Sequence, residues 1–405
     1  MSANIKEHYD AYPYPARDPK DEHKRLITGS PSNPIEIDHH VFGGQRDWSQ
    51  PLRVLVAGGG SGDGLIQIAQ SLTTAKRPYD ITYIDLSVST RKIAEERADI
   101  RGLKNITFVT DSLLNAADYG VFDYIDCCGV LHHLPDPQAG FDALANALAP
   151  LGGLGFMVYA PYGRSGVYPL QEAFGQLSAG MTPQSRLALG KTVFQRIPQN
   201  HAFKRNTLVG DHKDGDAGFY DLLLHSQDIA CTVKDVVGYL DNAGLELQNF
   251  TQPAMYRLDG ILPPDFKRPD GLSPVDEMQL AEKLRGNMKT HVAYAVKVGE
   301  RVVLDPTDPA LVPHFMGEDP KKVKAFILQH GGFPVAINGQ KIGLGISPPA
   351  ARLLGIIDGV SSVGRLQEVS GLELPEFNAA WTKLSDLMCS YGLLLYSGLN
   401  KYERE

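Results

Sequence analysis

The sequence has few cysteines, and none of them forms a pattern typical of a metal site. Only four occur among 405 residues: Cys127, Cys128, Cys231 and Cys389. No two of them have the C-x-x-C spacing of structural zinc sites. The adjacent histidine pairs at 39–40 and 132–133 do not predict a metal either, because neighbouring residues rarely converge on one ion. We therefore expect buried, reduced thiols, no metal and a cytoplasmic protein.

Long apolar runs and an excess of positive charge are also missing. No stretch reaches the roughly 18 apolar residues of a membrane-spanning helix. Residues 1–10 are polar, so we expect neither membrane insertion nor a signal peptide. The formal net charge of −8 argues against a phosphate-binding surface over the whole molecule, and we expect no nucleic-acid partner.

Residues 52–160 alternate between strand and helix patterns. Apolar runs predict strands at 53–57, 81–84, 106–109, 124–128 and 154–160, and helical spacing predicts helices at 63–74, 88–98 and 138–148. A helix at 233–242 and strands at 245–250 and 291–298 resume this rhythm further along the chain. Such alternation of buried strands with helices predicts an α/β protein with a parallel, doubly wound sheet.

A glycine-rich turn follows the first predicted strand. Four apolar residues, 54–57, run into glycines at 58, 59, 60, 62 and 64, and a predicted helix begins directly afterwards. Glycines at 58, 60 and 62 permit a positive φ and a close approach of a ligand to the backbone. The free N–H groups at the start of the helix attract an anionic or polar ligand. The turn therefore predicts a site for a nucleotide-like ligand.

Acidic residues end the next two predicted strands. Asp85 closes the second strand, 23 residues after Gly62, where an acid can bind two ribose hydroxyls. Asp111 and Ser112 follow the third strand, where they suit an adenine amino group. The alternatives are an acid at a helix N-terminus for Asp85 and a helix cap for Asp111 and Ser112.

Four segments together resemble class I S-adenosylmethionine-dependent methyltransferases: VLVAGGGSGDG (54–64), YIDLS (83–87), TDSL (110–113) and FDYIDCCGVLHHLPDP (122–137). The resemblance implies a Rossmann-like seven-stranded sheet that binds S-adenosylmethionine and releases S-adenosylhomocysteine, with no metal required. It implies cofactor contacts at Gly58, Gly60, Gly62, Asp63, Asp85, Leu86, Asp111, Ser112, Leu113, Cys128 and Gly129.

One position departs from this family's pattern. The family usually carries an acid where this chain has Val56, and that acid supports the methionine end of the cofactor. The departure shifts this work to Asp63 or to the N-terminal tyrosines.

A closer resemblance links the chain to the rickettsial-type lysine methyltransferases that act on bacterial outer-membrane proteins. It rests on YDAYPYPARDP (9–19), YAPYGRSGVYPLQ (159–171) and FYDLLLHSQDIACTV (219–233). It implies an N-terminal arm (1–50) over the cofactor, a Rossmann-like methyltransferase domain (51–160 and 229–300), an inserted substrate or dimerisation region (161–228) and a C-terminal domain (301–405). In the arm, Tyr9, Tyr12, Tyr14 and Arg17 would cover the cofactor; the alternative is packing on the outer sheet edge.

The C-terminal part has the pattern of a small helical module. Helices are predicted at 349–357, 362–369 and 375–390, and a strand at 393–396. This order resembles a winged-helix module. The third helix carries one lysine and two acids, a poor match to phosphate, so substrate docking or dimer formation suits the module better than nucleic-acid binding.

The resemblance implies in-line methyl transfer to a nucleophile, with a protein lysine as the acceptor and a homodimer as the assembly. The candidate catalytic residues are His132, Tyr159 and Tyr12, although a loop histidine can also serve only to hydrogen bond the backbone. Two alternatives stay open: a small-molecule O-, N- or C-methyltransferase, and a regulatory protein that binds the cofactor without catalysis. The insertion and the C-terminal module favour a bulky substrate.

Overall fold

The computed structural model describes residues 12, 15–263 and 265–400. Its centre is a seven-stranded sheet in the order β3-β2-β1-β4-β5-β7-β6. The strands are β1 Leu52–Ala57, β2 Tyr79–Asp85, β3 Ile106–Thr110, β4 Phe122–Cys128, β5 Leu148–Tyr159, β6 Leu245–Phe250 and β7 Thr290–Lys297. This order and the flanking helices confirm the predicted Rossmann-like seven-stranded sheet.

The five strands of residues 52–160 are parallel, as predicted, whereas one later strand is reversed. Strand β7 lies between β5 and β6 and runs antiparallel to both. The first residue of β7, Thr290, pairs with Tyr159, the last residue of β5. The connection from β6 therefore leaves and re-enters the sheet at the same edge, which reverses the strand that follows it.

Helices precede the first strand and lie in most of the connections between the later strands. They are α1 Pro34–Phe42, α2 Asp63–Thr74, α3 Val88–Ile100, α4 Pro137–Asn146, α5 Val167–Leu177, α6 Pro183–Arg196, α7 Ala202–Arg205, α8 Gly215–Leu224, α9 Val233–Asn242 and α10 Pro274–Arg285. Their starts follow local chemistry: the Ser87 side chain accepts from Thr90 N–H, and Asp136 accepts from Gln138 N–H. Each bond satisfies an N–H group that has no partner inside its helix.

The apolar faces predicted for the glycine-turn region form a core. Val54, Leu55 and Val56 of β1 are at most 2% exposed, and Leu65 and Leu72 of α2 are fully buried. Helices α5, α6 and α8 enclose a smaller core of their own, built around Phe174, Phe203 and Phe219. The 161–228 region therefore packs as a helical unit beside the sheet.

The C-terminal module contains more than the predicted three helices and strand. It consists of β8 Pro313–Phe315, α11 Pro320–His330, the hairpin β9 Gly332–Ile337 and β10 Gln340–Gly345, α12 Pro348–Leu354, α13 Val363–Ser370, α14 Leu374–Ser390 and β11 Leu394–Tyr396. Strand β11 pairs antiparallel with β8. The winged-helix assignment stays a prediction.

Asp38 of α1 joins the C-terminal module to the sheet domain. This carboxylate is fully buried. It accepts hydrogen bonds from the Ser397 hydroxyl at 2.7 Å, Gly398 N–H at 2.9 Å and the Trp48 indole at 2.9 Å. Tyr396 N–H also donates to His39 Nδ1 at 3.1 Å. The end of the module is thereby fixed to the first helix of the described chain.

Among the residues that the structure describes, no helix has both the length and the apolar character needed to cross a membrane.

Candidate functional site

A cavity of about 350 Å³ lies at the carboxyl edge of the sheet, where α/β sheets bind ligands. Residues from the glycine turn, the ends of β2, β4 and β5, the 27–32 segment and helix α8 line it together. The lining includes most of the cofactor contacts predicted from the sequence: Gly58, Gly60, Asp63, Asp85, Leu86, Asp111, Leu113, Cys128 and Gly129.

The glycine turn forms the floor of this cavity. Gly58 has φ 68° and Gly60 has φ 52°, values that favour residues without a side chain. A Cβ on Gly58 would lie 2.7 Å from the Val130 side chain. Gly60 N–H donates to the Asp85 carboxylate at 2.8 Å. The turn and the acid of β2 therefore hold each other in place.

Gly62 has a different function from the other two glycines. It is not among the residues that line the cavity. It precedes α2 with φ 96°, and a Cβ there would lie 2.9 Å from Ala94 Cβ of α3. In this structure Gly62 permits the two helices to pack closely.

The two acids predicted for the nucleoside lie on the cavity wall. Asp85 also accepts from Ser87 N–H at 2.8 Å and from the Thr90 hydroxyl at 3.0 Å. The Asp111 carboxylate accepts from the Tyr119 hydroxyl at 2.7 Å. The hydrogen bond from Tyr119 is the main cause that lowers the pKa of Asp111, and the bond from Asn115 adds to it. Asp111 is therefore ionised at neutral pH.

Ser112, which the sequence placed at the adenine, is not among the lining residues. Its hydroxyl accepts from Leu114 N–H at 3.2 Å and caps the turn at residues 113–119. Here the structure supports the capping alternative.

Asp63 lines the cavity, but its charge is balanced by two arginines. Arg17 Nη2 lies 2.6 Å from one carboxylate oxygen, and Arg97 Nη1 lies 2.8 Å from the other. Burial works against the charge of Asp63, but the two arginines outweigh it and lower the pKa of Asp63. Arg17 therefore contacts the end of the glycine turn through Asp63. The Ser61 hydroxyl in the same turn donates to Pro15 O at 2.9 Å. These contacts hold residues 15–17 of the arm on the glycine turn.

The tyrosines of the arm are only partly described. Tyr9 and Tyr14 lie outside the described residues. Tyr12 stacks on Tyr220 of α8 with 4.9 Å between ring centroids and is not among the residues that line the cavity. Its predicted catalytic role stays a prediction, and the described contact places it against the insertion.

Asp126 is a lining residue that the sequence analysis missed. It lies on β4 as the register partner of Val56 on β1 and is 2% exposed. Burial raises the pKa of Asp126 to about 6, against a hydrogen bond from Ser32 that lowers it. The sequence does contain a signal for this residue, because YIDCC places an acid inside an apolar strand. Burying a charge without a partner costs free energy, so such an acid is a candidate site residue.

Tyr159 and the two histidines after β4 form the other end of the cavity. Tyr159, the last residue of β5, lines the cavity, and the Arg164 guanidinium lies 3.5 Å from its ring centroid. The His132 ring lies 4.0 Å from the Tyr159 ring. His132 is fully buried and is not itself a lining residue, whereas His133 is.

His133 is held in one tautomer by its backbone contact. Its Nδ1 lies 2.9 Å from Gln227 O, and a carbonyl only accepts, so Nδ1 carries the proton and Nε2 keeps a lone pair. Burial is the main cause that lowers the pKa of His133. His133 is therefore a neutral base at pH 7.

Two clusters have the residue types of a metal site: His132, His133 and Asp228, and His133, Asp221 and His225. Gln227 N–H donates to His225 Nδ1 at 3.0 Å. The lone pair on His225 Nδ1 is therefore engaged by this hydrogen bond. The His133 and His225 rings stack with 3.9 Å between centroids.

Comparison with known proteins agrees with this geometry. Residues 55–154 match the family model described as a methyltransferase domain. An uncharacterized protein from Synechococcus is 32% identical over 265 residues, which are 62% of this chain and 61% of that protein. A ubiquinone biosynthesis O-methyltransferase from Psychrobacter cryohalolentis is 33% identical over 96 residues, 23% of this chain and 36% of that protein. The chain thus spans less than two thirds of the length of these curated relatives.

Among solved structures, PKMT2 from Rickettsia typhi has a similar fold. The TM-score is 0.62 at 14% identity, over 92% of this chain and 77% of that one. Its complex with AdoHcy gives a TM-score of 0.61 at 15% identity over the same shares.

Proposed function

We propose that the chain is an S-adenosylmethionine-dependent methyltransferase, since residues 55–154 match the family model of a methyltransferase domain. The observation that carries the proposal is one cavity that joins the glycine turn, Asp85, Asp111 and the loop after β4. A dehydrogenase shares the first two features but has no need for the last.

The residues of the cavity fit the parts of this cofactor. Asp85 and Asp111 offer carboxylates to the ribose hydroxyls and the adenine amino group, and Leu113 offers an apolar wall to the base. Gly58 and Gly60 line the cavity with positive φ angles, a backbone conformation that lets a ligand approach the turn closely. When bound, the cofactor supplies a methyl group on a positively charged sulfur, which is activated toward a nucleophile.

The remaining task of the chain is to align the acceptor and to remove its proton. Met157, Val130 and the ring of Tyr159 give this end of the cavity an apolar wall, which disfavours a charged amine and lowers the pKa of a lysine bound there. His133 is the neutral base on the same wall. Alignment behind the methyl group supplies much of the rate enhancement, since it removes the entropy cost of a chance encounter.

A protein lysine is our proposed acceptor. Helix α8 of the insertion contributes Asp221 to the cavity, so the acceptor end is built partly by a unit that a minimal methyltransferase lacks. The likeness to PKMT2 extends over 92% of the chain, including the insertion and the C-terminal module. A protein acceptor is large enough to contact both the insertion and the C-terminal module. A homodimer in the cytoplasm stays our expectation for the assembly.

Methyl transfer from labelled S-adenosylmethionine to a cell extract tests the function. Label in the protein fraction, lost in an Asp85→Ala variant and kept in Asp80→Ala on the exposed end of the same strand, is the expected result. Label only in the small-molecule fraction would support the alternative of an O-, N- or C-methyltransferase. Tight binding of S-adenosylhomocysteine without any transfer would indicate a regulatory protein.

A further inference from the structure

Asp126 is a buried carboxylate on the cavity wall with a lone pair unused. Its Oδ2 has no hydrogen-bond partner among the described residues. No lysine or arginine of the described chain forms an ion pair with it. A buried charge without a partner is costly, which makes this oxygen a candidate contact for a cationic ligand in the cavity.

The register of the sheet places Asp126 beside the position from which an acid is missing. Val56 and Asp126 are paired residues on β1 and β4, and both line the cavity. Neighbouring strands lie about 4.8 Å apart. A carboxylate on β4 therefore reaches the same end of the cavity that an acid at position 56 would serve.

The surroundings of Asp126 leave its carboxylate open to a small polar group. A Cβ on Gly64 would lie 3.4 Å from both carboxylate oxygens and 2.7 Å from Ser32 Oγ, so glycine at this position keeps the approach free. Gln67 also lines the cavity, and its Oε1 accepts from Gly29 N–H at 2.8 Å. The Ser32 hydroxyl, the Gln67 amide and the Asp126 carboxylate therefore all line this cavity.

We propose that the Asp126 carboxylate binds the α-ammonium group at the methionine end of S-adenosylmethionine. The proposal rests on the proposed function and assigns to β4 the role that Val56 cannot have. Asp63, the acid nearest to the turn in sequence, is already paired with two arginines. Binding gives the buried charge of Asp126 an opposite charge and a hydrogen-bond donor.

Calorimetric titration of two probes tests this assignment. S-adenosylhomocysteine carries the ammonium group, and 5′-methylthioadenosine lacks the whole amino-acid end. In Asp126→Asn, affinity for S-adenosylhomocysteine falls about 10- to 100-fold, the effect of losing a hydrogen bond to a charged group. Affinity for 5′-methylthioadenosine stays within about twofold. Asp123→Asn, at the opposite end of the same strand, leaves both affinities unchanged.

The pH dependence of wild-type binding gives a second measurement that needs no variant. Affinity for S-adenosylhomocysteine falls as the pH drops below about 6, while affinity for 5′-methylthioadenosine does not follow it. The titratable groups that interact with Asp126 are Tyr124, Cys127, Cys128 and Tyr294, and burial keeps all four neutral in this range. His133, Asp63, Asp85, Asp111 and Asp221 also face the cavity.

Each other outcome has a distinct meaning. Equal affinity of wild type and Asp126→Asn for S-adenosylhomocysteine overturns the assignment and leaves the methyltransferase proposal intact. A parallel loss for both probes shows a general disturbance of the cavity and also overturns it. Failure of wild type to bind either probe refutes the proposed function itself.

Discussion

His132 and His133 are adjacent in sequence but have different surroundings. His133 lines the cavity and has a fixed tautomer, whereas His132 is fully buried against Tyr159. Neither ring nitrogen of His132 has a hydrogen-bond partner among the described residues. Burial is the main cause that lowers the pKa of both rings. Only His133 combines contact with the cavity and a free lone pair.

We therefore expect His133→Gln to lower kcat by about 100-fold or more, the usual contribution of a general base. The KM for S-adenosylmethionine should change little, because the base faces the acceptor. Wild-type kcat should fall as the pH drops through a value below 6.5, where His133 gains a proton. His132→Phe keeps the ring packing and should retain activity; the reverse pattern would assign the base to His132. Steady-state kinetics across pH 5–8 checks both.

The raised pKa of Asp126 also predicts an effect on the stability of the folded protein. Its folded pKa of about 6 lies above its ordinary value of 3.8. The proton is bound more tightly in the folded state, so the contribution to stability is complete below pH 3.8 and is lost as the pH rises through 6. At pH 7 the ionised group costs up to about 3 kcal/mol.

Asp126→Asn should therefore raise the free energy of unfolding at pH 7 by about 1–3 kcal/mol while it weakens binding of S-adenosylhomocysteine. At pH 4 the gain should disappear. Urea unfolding of the ligand-free protein at the two pH values measures it, and an equal effect at both would show that the charge is not its cause.

At the scale of elements, α2 and α3 pack closely against each other behind the glycine turn. Gly62→Ala adds a Cβ 2.9 Å from Ala94 Cβ at φ 96°. We expect a loss of about 2–4 kcal/mol, from backbone strain and from overpacking. Gly102→Ala is the matched control, because it has φ 68° and open space around it; it should cost only about 1–2 kcal/mol. Equal losses in urea unfolding would refute the packing role.

The whole molecule is held together by contacts that join its two ends. Asp38 binds Ser397, Gly398 and Trp48, and Arg77 Nε donates to Leu399 O at 2.9 Å. The Trp381 indole donates to Pro306 O at 2.8 Å within the C-terminal module. These contacts couple the module to the sheet domain, so the described parts should unfold together.

Asp38→Ala should destabilise the protein by at least about 3 kcal/mol, because it leaves several buried donors without an acceptor. Scanning calorimetry should show one transition in wild type and either a lower single transition or two transitions in the variant. Asp305→Ala, in an exposed turn, is the control and should leave the profile unchanged. An unaltered Asp38→Ala profile would show that the module is not coupled through this carboxylate.

The sequence by itself determined the order of the main helices and strands of residues 52–160, the glycine turn and the positions of Asp85 and Asp111 at strand ends, but it placed the start of β5 at 154 instead of Leu148. Helix α2 begins at Asp63 and ends at Thr74, as its apolar spacing predicts. These features depend on local patterns of burial and on turn chemistry, which a single segment contains. The resemblance to class I methyltransferases follows from the same segments.

The tertiary structure decided what depends on distant segments. Asp126 meets the place of the missing acid only because β4 pairs with β1 in one register, 70 residues along the chain. His133, which lines the cavity, is held there by a contact with Gln227, 94 residues away. Strand β7 is reversed by a connection whose path no local pattern records. Such contacts arise from packing among segments, so the sequence supplied the residues of the site and the fold selected which of them meet.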